Sequence, residues 1–169
     1  MAANTRKGQR RIMKMIIQLI VSFIATVSFA GLFSVPKKEY LYCGITGALG
    51  WLFYLLAYHK IDSVSFSTFI ATIILTFVSR VFAVNRRVPV TIFLISGIFP
   101  LVPGAGIYYT AYYIFDNNIA VAGDKGVETI SIALAIAFGI MLVFAIPQKL
   151  FLWGKNRRRR SDNLIKKWY

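Results

Sequence analysis

The chain has 169 residues, 57 % of them hydrophobic and 15 % charged, with a mean hydropathy of +0.64. This composition excludes an ordinary soluble domain and requires an integral membrane protein. The net charge of +14 raises nucleic acid as a partner. However, the basic residues gather at the ends of long uncharged runs, the pattern of cytoplasmic flanks facing anionic lipid, so the expected partner is the bilayer.

Five uncharged runs follow in chain order, at residues 15–36, 40–58, 63–79, 88–115 and 129–148. Four are close to the roughly 20 residues a helix needs to cross about 30 Å of hydrocarbon; the fourth is longer. In lipid a backbone must satisfy its own hydrogen bonds, so each run is expected to be helical. The fold class is therefore all-α and polytopic, with about five transmembrane helices. Residues 1–14 form a basic N-terminal segment, 15–153 the helical domain and 154–169 a basic cytoplasmic tail.

Arg6, Lys7, Arg10, Arg11 and Lys14 precede the first run, which is too long for the apolar core of a signal peptide and reads as a retained helix. Pro36 to Glu39 makes a tight connection. In the second run Gly44 and Ala48 share a helix face suited to close approach. Cys43, the single cysteine, fits core space and excludes an intrachain disulfide. Thr68, Thr72, Thr76 and Arg80 recur every four residues in and just beyond the third run. This polar stripe either bonds to its own backbone carbonyls or faces a polar cavity. Pro89 opens the fourth run at a helix-start position. Beyond that run, Asp116-Asn117-Asn118 is a polar break and Gly123-Asp124-Lys125-Gly126 is expected to be a turn. Ala133, Ala135, Ala137 and Gly139 suit close packing of the last run, and Pro147 should kink or end it.

The most informative feature interrupts the fourth run: Pro100-Leu101-Val102-Pro103-Gly104-Ala105-Gly106-Ile107-Tyr108. Each proline lacks an N–H and clashes with the preceding turn, while glycine tolerates unusual backbone angles. Two half-helices joined by an unwound link are expected. The second would begin near Gly104 with free N–H groups and the positive end of its dipole, which suits a carboxylate. Tyr108 and Tyr112 lie one turn apart on it, as do Tyr109 and Tyr113, and their hydroxyls could line a polar cavity, or all four could belong to an interfacial aromatic belt. A proline kink without a ligand is the competing reading. The break also leaves topology open. Five crossings, N-terminus out, put thirteen Lys and Arg inside and seven outside; a re-entrant fourth run gives fourteen and six. Five crossings are favoured because the arms of a hairpin would be short.

The proline–glycine string, followed by Tyr112-Tyr113, resembles the signature of the threonine/serine exporter family, in its smaller C-terminal module (a YjjB-like subunit). Ser28 to Pro36, Gly44 to Tyr54, Ser79-Arg80 and Arg86-x-x-Pro89 extend the resemblance over roughly residues 20–150. It implies a subunit of a proton-gradient-driven exporter of threonine and serine in the plasma membrane, completed by a larger subunit. Small organic acids are the alternative cargo, and a non-transporting scaffold or an uptake subunit is the alternative role. The expected substrate-binding residues are Pro100, Pro103, Gly104, Gly106, Tyr108 and Tyr112, with Thr72, Thr76 and Arg80 as a polar stripe. Self-association into a homo-oligomer is left open.

The acidic residues are Glu39, Asp62, Asp116, Asp124, Glu128 and Asp162, none at the centre of an uncharged run. Asp116 is taken as the proton-linked candidate closest to the break, and the larger subunit is expected to supply the main proton site. One histidine, one cysteine and no paired carboxylates within a run argue against an enzyme, a metal site or a bound cofactor.

Overall fold

A computed structural model describes residues 2–147, which are helical throughout apart from short connections. The tail at 154–169 lies outside the described residues. Six helices follow in order: α1 (Ala2–Leu32), α2 (Tyr40–Ile61), α3 (Val64–Arg86), α4 (Val90–Ile98), α5 (Gly104–Phe115) and α6 (Ile119–Phe144). Single 3₁₀ turns at Lys37–Glu39 and Phe99–Leu101 precede α2 and extend α4. Among them α1, α2, α3 and α6 are each long and apolar enough to cross a bilayer, and α4 with its 3₁₀ turn forms a pair with α5 bent by 49°.

The connections are short and have local causes. α2 and α3 both stop on a left-handed residue, Asp62 (φ 52°) and Arg87 (φ 57°), whose N–H groups return to Tyr58 O and Ala83 O. Val88 N–H also donates to Ala83 O, so two successive N–H groups share one carbonyl at the end of α3. Pro89 then opens α4. Asn117 (φ 55°) and Asn118 make the polar break after α5, and the Asn118 side chain accepts from Val121 N–H to start α6.

The expected turn at residues 123–126 is not there. α6 begins at Ile119 and runs unbroken through Gly123, Asp124, Lys125 and Gly126. Each helical glycine costs about 1 kcal/mol relative to alanine, but the Asn118 cap has already nucleated the helix, and a chain in lipid gains by keeping its hydrogen bonds internal. The consequence is large: Lys125 and Glu128 move from a loop into the body of a helix.

The crossing number follows from one side chain. Buried Arg80, near the C-terminal end of α3, donates to the carbonyls of Val143 and, at 2.8 Å, Ile146, at the C-terminal end of α6. α6 therefore runs parallel to α3, and its N-terminus lies at the opposite end of the bundle. A chain leaving α3 and entering α6 at opposite ends must cross between them, so α4 and α5 form one broken span and five crossings result. A re-entrant hairpin would have left α3 and α6 antiparallel.

α2 packs against α1, α3 and α4, while α3 packs against α2, α4 and α6. Glycines set the closest approaches. A Cβ on Gly47 would overlap Thr26 of α1, and one on Gly44 would strike the Phe23 ring. Gly44 and Gly47 thus both admit side chains of α1 to the α2 backbone. Toward one end Ala30, Cys43, Ala83 and Phe93 form a core; nearer the middle Ala71, Leu75, Leu94 and Leu101 form another. Glu39, only 1 % exposed, sits at the first end and accepts twice from Arg86, at 3.0 and 3.1 Å, with the guanidinium 4.7 Å from the Tyr42 ring. α5 packs along α6 and buries no residue of its own.

Candidate functional site

The break in the fourth span has the geometry its residues dictate. Pro100 lies in the 3₁₀ turn, Val102 is extended (ψ 131°), and Pro103 precedes the first turn of α5. Gly104 N–H folds back to Val102 O at 2.8 Å, and Ile107 N–H donates to Pro103 O at 3.1 Å. Among the described residues the N–H groups of Ala105 and Gly106 have no acceptor, and no side chain caps the helix. The positive end of the α5 dipole is left without a protein partner.

That helix end faces a cavity of about 420 Å³, within the size range of small-molecule sites. The whole 100–106 segment contributes to its wall. Trp51 and Tyr54 of α2, Val64 and Thr68 of α3, Tyr109 of α5, and Lys125, Glu128, Thr129 and Ile132 of α6 complete it. The cavity thus reaches from mid-depth toward the end of the bundle where α3 begins. The indole Nε1 of Trp51 is buried and, among the described residues, has no hydrogen-bond partner, a costly state for a polar group. Thr68 and Thr129 donate to Val64 O and Lys125 O, at 2.8 and 2.7 Å, which leaves their oxygens as acceptors.

The two glycines serve different ends. Neither has a positive φ, so backbone strain is not the reason for glycine at either position. A Cβ on Gly104 meets nothing within 4 Å, whereas one on Gly106 would overlap Thr129 Oγ1. Gly104 keeps space open at the cavity; Gly106 lets α5 and α6 touch.

The structure brings together Pro100, Pro103, Gly104 and Gly106 at this cavity. It places Tyr108 and Tyr112 elsewhere: they stack on one another at 6.3 Å on an exposed face of α5, at 62 % and 50 % exposure. The neighbouring Tyr109 lines the cavity in their stead. Asp116 is exposed at the far end of α5. Thr72 and Thr76 are buried and donate to Thr68 O and Thr72 O. Their stripe packs against α6, where a Cβ on Gly139 would stand 3.0 Å from Thr72 Cβ. Arg80, its head over the Phe144 ring at 5.5 Å, serves the C-terminal carbonyls of α6. The stripe is thus a helix contact satisfied by its own backbone, and only Thr68 reaches the cavity.

Thr68 belonged to the expected stripe, whereas Trp51, Tyr54, Lys125, Glu128 and Thr129 line the cavity without having been expected there from the sequence. For the last three a signal existed: Lys125, Glu128, Thr129 and Ile132 follow helical spacing and form one face once the 123–126 segment is read as helix. Lys125 Nζ and Glu128 Oε2 are 2.9 Å apart on that face. Among the described residues no group of three or more His, Cys, Asp or Glu could hold a metal ion.

Comparison with known proteins gives a family and a curated relative. A family model described as "Threonine/Serine exporter, ThrE" matches residues 18–146, from the middle of α1 to just past the end of α6. A protein of Haemophilus influenzae, described as uncharacterized, is 30 % identical over 96 residues, which is 57 % of this chain but only 32 % of the relative. The match thus spans about a third of that relative's length. No solved structure matches.

Proposed function

This chain belongs to the threonine/serine exporter family, a family of transporters in which it is a multi-pass protein of the cell membrane, and from that premise we propose that it exports small amino acids through the cavity at the break in the fourth span. The observation that carries the proposal is the uncapped N-terminus of α5 opening onto that cavity. Unsatisfied N–H groups and a dipole end favour an anion, and discontinuous membrane helices hold substrate carboxylates in this way. Pro100 and Pro103 keep the link unwound, and Gly104 keeps the space beside it open.

The chain works with a larger subunit of the same family, and the proton gradient drives export. Two features support an incomplete site: α5 packs along α6 with no buried residue, and the Haemophilus relative extends well beyond the matched segment. The end of the bundle bearing Lys37, Lys38, Arg86 and Arg87 faces the cytoplasm, by the excess of basic residues there.

The test is threonine efflux from cells producing the full chain with its candidate larger subunit, comparing the wild type with Gly104→Val. A Cβ at Gly104 clashes with nothing, so the variant should reach the membrane and bind its partner as before, while its branched side chain fills the cavity and export is lost. Normal efflux by Gly104→Val would sink the carboxylate-site proposal.

A further inference from the structure

The transport proposal does not use Lys125 and Glu128, although both line the cavity. Glu128 lies nine residues, about 14 Å, into α6, and its neighbour Thr129 is level with Gly106 at the start of α5. The pair sits on the stretch of cavity wall that also carries Val64, the first residue of α3, and its side chains are nearly half exposed, at 44 % and 45 %. On an exposed soluble helix a Lys–Glu pair three residues apart is a solvated ornament. Here the pair also lines a cavity, so both charges are open to whatever enters it.

The cavity wall carries two opposed chemistries. Among the described residues the N–H groups of Ala105 and Gly106 are donors with no acceptor. Glu128 is a carboxylate whose partner is a flexible lysine of the same helix. Thr68 and Thr129 contribute hydroxyl oxygens. A simple monocarboxylate would satisfy the donors but bring its charge toward Glu128. A zwitterionic α-amino acid satisfies both, its carboxylate at the donors and its ammonium at Glu128.

We propose that Glu128 is the residue that recognises the ammonium of an α-amino acid, with Lys125 as its counter-ion when the cavity is empty. The proposal rests on the transport reading above and makes Glu128 the specificity determinant against organic acids of the same shape. On binding, the ligand ammonium takes over Glu128, and Lys125 swings to the ligand carboxylate, keeping the site neutral. Tyr54 and Tyr109, the other titratable cavity groups, are phenols and cannot substitute for this anion.

The experiment measures binding of L-threonine and of 3-hydroxybutyrate, its counterpart without the amino group, to the full chain purified with its co-produced larger subunit. The wild type should prefer threonine by about tenfold or more, the range expected for a charge-assisted hydrogen bond. Glu128→Gln should lose that preference by weakening threonine alone, and Glu128→Asp should retain part of it. If Glu128→Gln keeps the preference, or weakens both ligands equally while Glu128→Asp does the same, Glu128 is not the ammonium site. If the wild type binds neither ligand, the transport reading itself fails.

Discussion

Gly104 and Gly106 lie two residues apart, yet alanine should have opposite effects at the two. At Gly106 a Cβ would overlap Thr129 Oγ1 and stand 3.4 Å from Thr129 Cβ. The hydroxyl cannot yield freely, because it donates to Lys125 O at 2.7 Å. Either that bond breaks or α5 moves off α6, and overpacking of this kind costs about 1–3 kcal/mol. At Gly104 no atom lies within 4 Å and φ is not positive, so alanine should be neutral or stabilise by up to about 1 kcal/mol through the unfolded chain. Thermal unfolding of the purified protein in detergent should place Gly106→Ala below the wild type and Gly104→Ala at or above it. Adding Thr129→Ala to Gly106→Ala should restore much of the loss, as expected for two residues in direct contact. A Gly106→Ala protein as stable as Gly104→Ala, or a double variant without recovery, would refute the close α5–α6 contact from which the cavity wall is built.

The Glu39–Arg86 pair should respond asymmetrically, because Glu39 is buried and Arg86 is about one third exposed. Arg86→Ala strands a buried carboxylate and should lower the unfolding temperature more than Glu39→Gln, which leaves the guanidinium access to water and the Tyr42 ring. Thr72→Val and Thr76→Val remove hydroxyls that bond only within α3; efflux should stay near the wild-type rate, and a strong loss would mean that the stripe faces the transport path after all.

Much of the fold was legible because lipid imposes a simple rule. Uncharged runs of about 20 residues must be helices with satisfied backbones, and α1, α2, α3 and the broken fourth span fall where those runs lie. Pro100 and Pro103 announced the break by the N–H groups they lack. The start of α6 was not legible. Gly123-Asp124-Lys125-Gly126 has the composition of a turn, and local propensity gave no sign that the Asn118 cap would carry a helix through it. That one boundary hid Lys125 and Glu128, since charges in a turn do not read as charges in a span.

The tyrosines show a second limit. Helical spacing groups Tyr108 with Tyr112 and Tyr109 with Tyr113, but spacing cannot say which pair faces the protein. That depends on where α6 lies, and its placement puts Tyr109 at the cavity and Tyr108 and Tyr112 on an exposed face. Likewise the Thr72–Thr76 stripe has one period whether it meets a cavity or a helix.

By itself the sequence determined the class, the membrane spans and the position of the break, because hydropathy and proline chemistry act locally along the chain. Tertiary structure alone decided the crossing number, the cavity wall and the charged pair within it. Those depend on which way α6 runs and which of its faces meets α5, and that direction is read from a contact between Arg80 and carbonyls more than sixty residues away in the chain.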